Sequence, residues 1–195
     1  MKTLRALVFK YRSYTPIPFL VLMVVYAHPT VASLVAGFAI VLVGELIRFW
    51  GVSIAGSETR TTGTVGGTYL ITTGPFAHVR NPLYVGNMLL YTGMGVMSLA
   101  LFPWLPIVAL AWFIVQYSLI VGGEEEYLAE RFGAAYDEYR RRVPRFLPRF
   151  RPYVAAAAPP KSLNPAEGLA SEKRTLQAIG LVTLMLVVLF FLRQG

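Results

Sequence analysis

Gly74-Pro75-Phe76-Ala77-His78-Val79-Arg80-Asn81-Pro82-Leu83-Tyr84-Val85-Gly86 is a run of turn formers and polar side chains that passes directly into an apolar stretch. Pro82 suits the first turn of a helix, where its missing N–H costs nothing, and Asn81 before it is a cap former. Further on, Glu124-Glu125-Glu126 follows another apolar run. Polar clusters at the same end of two neighbouring apolar helices read as two halves of one site. That pattern points to a membrane enzyme rather than to a passive anchor.

Composition agrees. The 195 residues are 55% hydrophobic and 14% charged, with mean hydropathy +0.55, whereas a soluble domain carries roughly a quarter charged residues. Net charge is +8 and the pI about 9.9. Because the basic residues sit between apolar runs, they read as loops on an anionic cytoplasmic leaflet, with anionic phospholipid as a partner and no nucleic acid. Without cysteine the chain has no disulfide, thiolate metal site or Cys nucleophile. No small-residue cleavage site follows the first apolar run, which is expected to be a retained helix.

Working outward from the polar stretch, the expected fold is an all-α integral membrane protein with five transmembrane helices in hairpins and a cytoplasmic interfacial helix. The helices are placed at about 14–27, 31–50, 83–101, 104–121 and 175–195, with His28-Pro29 and Phe102-Pro103 as tight turns. Residues 1–150 form the core, the site lies in 60–82 and 122–150, and 151–174 is a linker. Lys2, Arg5, Lys10 and Arg12 precede the first helix, Arg60 and Arg80 lie between the second and third, and ten further basic residues lie between the fourth and fifth. The positive-inside rule then puts the N-terminus and both polar clusters in the cytoplasm of a prokaryotic cell, with Arg193 against the trend. Tyr127, Leu128, Phe132, Tyr136 and Tyr139 recur at helical intervals, which predicts the interfacial helix, broken at Gly133 and stopped at Val143-Pro144.

Arg80 with the exposed N–H groups of the following helix suits an anion; a capped helix with a snorkelling arginine is the alternative. Three acidic residues at a helix C-terminus oppose its negative pole, so Glu124–Glu126 read either as a solvated charge run or as a ligand-binding carboxylate. Glu45 and Arg48 share a helix face within a span and can pair. His78 has no second histidine at metal-ligand spacing, and no metal site is expected. The glycines Gly63, Gly66, Gly67 and Gly74 match no phosphate loop.

Two spaced motifs make the pattern specific. Gly74-x-Phe76-x-x-x-Arg80-Asn81-Pro82-x-Tyr84-x-Gly86 is followed by Glu124-Glu125-x-x-Leu128, Phe132-Gly133-x-x-Tyr136-x-x-Tyr139 and Val143-Pro144-Arg145-x-x-Pro148. Together they resemble the isoprenylcysteine carboxyl methyltransferase family, whose superfamily includes the phospholipid N-methyltransferases. The resemblance covers about residues 60–150. It implies a membrane methyltransferase that uses S-adenosylmethionine on a lipid or lipid-like acceptor at the cytoplasmic face. Carried over by position, Thr68, Tyr69, Leu70 and Ile71 border the cofactor with Phe76 nearby, Asn81, Pro82, Leu83 and Tyr84 hold its amino-acid end, and Glu124 binds its polar groups. Arg80 is the expected anion anchor, with Glu125 or Tyr84 taking the proton from an amine acceptor. This chain has Asn81 and Thr68 where the family commonly has His, and Ile120 where prenylcysteine enzymes have a substrate-binding Arg, so a prenylcysteine carboxylate is not implied. A sterol-reductase-like enzyme using NADPH and a non-enzymatic lipid-binding scaffold are the competing readings.

Overall fold

The computed structural model describes residues 2–56, 69–154 and 162–193. Regular structure among them is helical throughout: α1 (Lys2–Tyr11), α2 (Pro16–Val25), α3 (Val31–Ala55), a 3-10 turn at Gly74–Ala77, α4 (Pro82–Ser98), α5 (Trp104–Phe132), α6 (Ala134–Arg142) and α7 (Pro165–Leu192). Three of the described helices, α3, α5 and α7, are long and apolar enough to cross a membrane. At about 1.5 Å per residue each exceeds the ~30 Å hydrocarbon thickness. The chain divides into two compact groups, residues 1–45 with 86–120 and 174–195, and residues 46–85 with 121–173.

In the first group, α3 and α4 touch backbone to backbone. A Cβ added at Gly37 would meet the Gly93 carbonyl at 2.5 Å, and one at Gly44 would meet the Gly86 carbonyl at 2.8 Å. Small residues seven apart on both helices allow this approach, and in lipid such packing replaces the hydrophobic effect as the main attraction between helices. Ser33 Oγ extends the contact by donating to the Met97 carbonyl at 3.1 Å. Around the pair, Met23, Val41, Leu90, Met94, Met97, Leu105, Ile179 and Leu186 form the buried apolar core. Phe113 stacks between Tyr91 and Tyr117, with ring centroids 4.4 and 5.8 Å away.

One end of this group gathers the short turns. The His28 amide donates to the Ser98 carbonyl at 2.7 Å, and Arg193 Nη2 donates to the Val25 carbonyl at 3.3 Å. Arg193, against the charge trend in the sequence, therefore holds the C-terminal end of α2, a favourable place for a cation. The expected helix over 83–101 ends at Ser98. There Ser98 Oγ accepts from the Ala100 amide at 3.2 Å, and Leu99 and Leu101 take positive φ in the turn. The expected helix over 14–27 is shortened to Pro16–Val25, and a separate α1 precedes it.

In the second group, the last residues of α3 face the first residues of α7. The stretch expected to be a linker to residue 174 is helical from Pro165. Its start is a cap: the Asn164 side-chain oxygen accepts from the Glu167 amide at 3.2 Å, and Pro165 holds the first helical position. Arg48 pairs with Glu172 at 2.6 Å, with both side chains largely buried. A Cβ on Gly168 would lie 2.0 Å from Ser53 Oγ and 3.1 Å from its Cβ, so any larger residue would force Ser53 to shift at this crossing. The helix of α5 does not stop at residue 121 but runs to Phe132. Gly133, with φ of 51°, breaks the chain before α6.

Candidate functional site

The polar stretch is shaped by its turn formers. Gly74 has φ of 61°, and a Cβ there would press on Ile54 at 2.9 Å and Trp50 at 3.3 Å. Pro75 follows, and its carbonyl accepts from the amides of His78 and Val79. This tight turn delivers Arg80 and Asn81 to the start of α4. Pro82 is fully buried, and Leu83 lies where a Cβ on Gly51 would meet it at 2.9 Å. Both residues thus seat the first turn of α4 on α3.

Because α5 continues as a helix through Glu124–Glu126, successive carboxylates point about 100° apart. Glu124 Oε1 accepts the Tyr84 hydroxyl at 2.8 Å. Glu125 faces elsewhere: its Oε1 accepts from Arg80 Nε at 3.0 Å and Nη2 at 2.8 Å. Arg145 adds Nε to the same oxygen at 3.2 Å, and its Nη2 bonds Oε2. Glu126 is exposed. The three acidic residues are therefore not one solvated run. One carboxylate is matched by two guanidiniums, and its neighbour bonds a phenol.

Arg80 does more than pair with Glu125. Its Nη1 donates to the Arg140 carbonyl at 2.7 Å and the Val143 carbonyl at 2.6 Å, which satisfies acceptors at the C-terminal end of α6. A strap from Val143 to Tyr153 then runs along the polar stretch. The Arg80 amide donates to the Pro144 carbonyl, the Arg149 amide to the His78 carbonyl and the Tyr153 amide to the Ala77 carbonyl, each at 2.9 Å. His78 Nδ1 bonds the Arg149 carbonyl at 2.8 Å, and the Tyr139 hydroxyl donates to the Phe76 carbonyl at 2.7 Å. Asn81 Nδ2 donates to the Arg145 carbonyl at 3.2 Å; its side chain tethers the strap rather than capping α4.

Tyr136, Tyr139 and Val143 form the apolar floor under this network, with Leu70, Leu128, Phe132 and Tyr153 against them. Burial, reinforced by the Glu125 charge, pushes the Tyr136 phenol up to about 12, with Arg80, Arg140 and Arg145 opposing. Burial raises Tyr139 as well. Both rings stay neutral at any ordinary pH.

The expected site residues divide accordingly. Arg80 is joined to Glu125 and Tyr84 to Glu124. Phe76 contributes a carbonyl, Pro82 and Leu83 contribute packing, and Leu70 lies on the tyrosine floor. Tyr69 is exposed and Ile71 half-buried. Thr68 lies outside the described residues. Arg145, Tyr139 and His78 carry contacts that the sequence reading did not assign; the Val143-Pro144-Arg145 spacing was the available signal. Among the described residues no group of three or more His, Asp or Glu side chains is placed to share a metal ion.

The model of one protein family, described as phospholipid methyltransferase, matches residues 32–135. The nickel-cobalt-cadmium resistance protein NccN of Alcaligenes xylosoxydans xylosoxydans is 39% identical over 82 residues, which cover 42% of this chain and 37% of that protein. The cobalt-zinc-cadmium resistance protein CzcN of Cupriavidus metallidurans is 36% identical over 107 residues, 54% of this chain and 44% of that protein. The chain thus spans less than half the length of these relatives. No solved structure matches it.

Proposed function

The chain belongs to the phospholipid methyltransferase family, and from that premise we propose that it transfers a methyl group from S-adenosylmethionine to a membrane lipid at the cytoplasmic face. The supporting observation is the pairing of Tyr84 with Glu124 beside the first turn of α4. A carboxylate and a helix N-terminus are the two complements that an amino-acid zwitterion requires, one for its ammonium and one for its carboxylate. The donor set therefore fits the methionyl end of the cofactor, with Glu124 on the ammonium and the start of α4 on the carboxylate. By the resemblance, Thr68, Tyr69, Leu70 and Ile71 are assigned to border the cofactor, with Phe76 nearby. When bound, the cofactor supplies an electrophilic methyl group on a sulfonium.

The remaining work belongs to the chain. Methyl transfer is an in-line displacement, so alignment and exclusion of water carry most of the catalysis. Tyr84 is the group we assign to take the proton of an amine acceptor while its own hydroxyl proton passes to the Glu124 carboxylate that it already bonds. Glu125 has both oxygens occupied by guanidiniums; we assign it and Arg80 to positioning the strap. In this reading α2 and α4 join α3, α5 and α7 to make five spans, α6 lies in the interface, and Arg141, Arg142 and Arg151 face anionic phospholipid headgroups.

A calorimetric titration of the purified protein with S-adenosylhomocysteine and, separately, NADPH tests the assignment. Binding of the first alone is expected. Glu124→Ala should abolish it, and Tyr84→Phe should weaken it by less than tenfold while slowing turnover more. Affinity for NADPH alone would transfer the site to the reductase reading, and affinity for neither would favour the scaffold.

A further inference from the structure

The strap is held on the protein and yet bare. Bonds from the Arg149 and Tyr153 amides to the His78 and Ala77 carbonyls bracket Phe150, Val143 is buried, and the Tyr153 ring lies 5.6 Å from that of Tyr139. Between and beyond these contacts, Leu147, Phe150 and Val154 are 80%, 100% and 83% exposed, more than any other large apolar side chain among the described residues. Other bare apolar residues, such as Val35 and Leu46, lie on α3, a helix apolar enough to have lipid around it. The strap belongs to no such helix.

Charge on the same segment is unmatched. Residues 134–154 hold six arginines and two carboxylates. Asp137 and Glu138 are taken by Arg140 and Arg142, Arg145 by Glu125, and Arg149 donates to the Arg142 carbonyl. Arg141 and Arg151 are exposed, and their side chains have neither ion pair nor hydrogen bond among the described residues.

We propose that the segment 141–154 docks on the surface of an anionic bilayer, with Leu147, Phe150 and Val154 in the interfacial layer and Arg141 and Arg151 on lipid phosphates, and that docking steadies the cofactor site. The level fits. The polar stretch sits on the last turns of α3, where Gly74 packs against Ile54 and the His78 ring lies 6.1 Å from that of Trp50. Because α3 is long enough to cross a membrane and ends at Ala55, the strap bonded to this stretch lies where α3 leaves the hydrocarbon. Apolar side chains at that level enter the acyl boundary, while arginines stay at the phosphates. An acidic protein would match the arginines too, but the bilayer is already present there. Docking reaches the site through Ala77, His78 and Arg80, which the strap bonds just before α4; this coupling rests on the methyl-transfer reading.

The test uses the full chain in nanodiscs of phosphatidylcholine alone or mixed with phosphatidylglycerol. The chain has no cysteine, so Leu147→Cys gives one site for an environment-sensitive fluorophore, read by quenching from lipids that carry a nitroxide high in the acyl chain. Strong quenching is expected in the anionic discs. Arg141→Gln and Arg151→Gln should each lower the docked-to-free ratio about fivefold, and Phe150→Ser with Val154→Ser should abolish quenching. All four side chains are exposed, so the unfolding temperature should not change. S-adenosylhomocysteine should bind more tightly in the anionic discs, and the double arginine variant should lose that difference. No quenching in the anionic discs, or quenching indifferent to lipid charge and to both arginines, overturns the proposal; the first result would give the face to a protein partner or to water. Docking with equal S-adenosylhomocysteine affinity in both discs overturns the coupling. Absence of that binding in every disc sinks methyl transfer and the coupling with it, whereas the quenching still decides the docking.

Discussion

Replacing Glu125 by alanine removes the one carboxylate that joins Arg80 to Arg145. Arg80 and Glu125 are 12% and 13% exposed, while Arg145 is 38% exposed. Breaking a buried pair by deleting one partner costs about 3–5 kcal/mol, and an exposed pair is worth about 0–1 kcal/mol. Arg80 keeps the carbonyls of Arg140 and Val143, which lowers the penalty of stranding it. The expected loss is about 2–3 kcal/mol. For a chain of this size that is a fall of roughly 5–10 °C in unfolding temperature. The strap should loosen with it, because Arg145 and Asn81 then hold its start without the shared carboxylate.

The assay is intrinsic fluorescence during heating, together with limited trypsin cleavage, for which Arg145 and Arg149 offer sites along the strap. Glu125→Gln keeps one acceptor oxygen and should fall about midway. Methyl transfer should decline in parallel with strap protection, and added S-adenosylhomocysteine should restore part of the protection. An unfolding temperature within about 1 °C of the parent and an intact strap, combined with lost turnover, would show that Glu125 acts in the chemistry and would refute the positioning role.

Three other outcomes follow from the same geometry. The raised Tyr136 phenol stabilises the fold while neutral, so its contribution is complete below pH 10 and is lost as pH climbs to about 12; alkaline unfolding followed by tyrosinate absorbance should show a decline of about 3 kcal/mol from this residue, absent in Tyr136→Phe. Gly93→Ala places a Cβ 2.7 Å from the Gly37 carbonyl, whereas Gly180→Ala meets open space, so thermal melts should show a loss of about 1–3 kcal/mol for the first and no loss for the second. Glu172→Ala removes the largely buried ion pair that Arg48 makes with α7 and should cost about 2–3 kcal/mol, read as early hydrogen exchange in residues 165–175 ahead of global unfolding.

The sequence made some of this legible and hid the rest for physical reasons. Apolar runs and tight turns announce helices because a membrane demands length and hydrophobicity, and Pro82 and Gly133 mark their breaks wherever context is ignored. The start of α7 was missed because Asn164-Pro165-Ala166-Glu167, a cap signal, sits behind a Pro- and Ala-rich stretch that reads as linker. The pairings of the acidic triplet could not be read at all. Which of Glu124 and Glu125 turns toward Tyr84 depends on whether α5 continues past residue 121, and the apolar pattern ends there. Once it continues, neighbouring carboxylates must diverge, and Arg80 can reach only one of them. The arginine that looked like an anion anchor then has its donors occupied by Glu125 and by the carbonyls of Arg140 and Val143. A binding role for Arg80 would require those bonds to be given up, at a cost comparable to the stability that Glu125→Ala removes. A positioning role requires no such exchange, and for that reason the ligand-binding assignment rests on Glu124 and Tyr84.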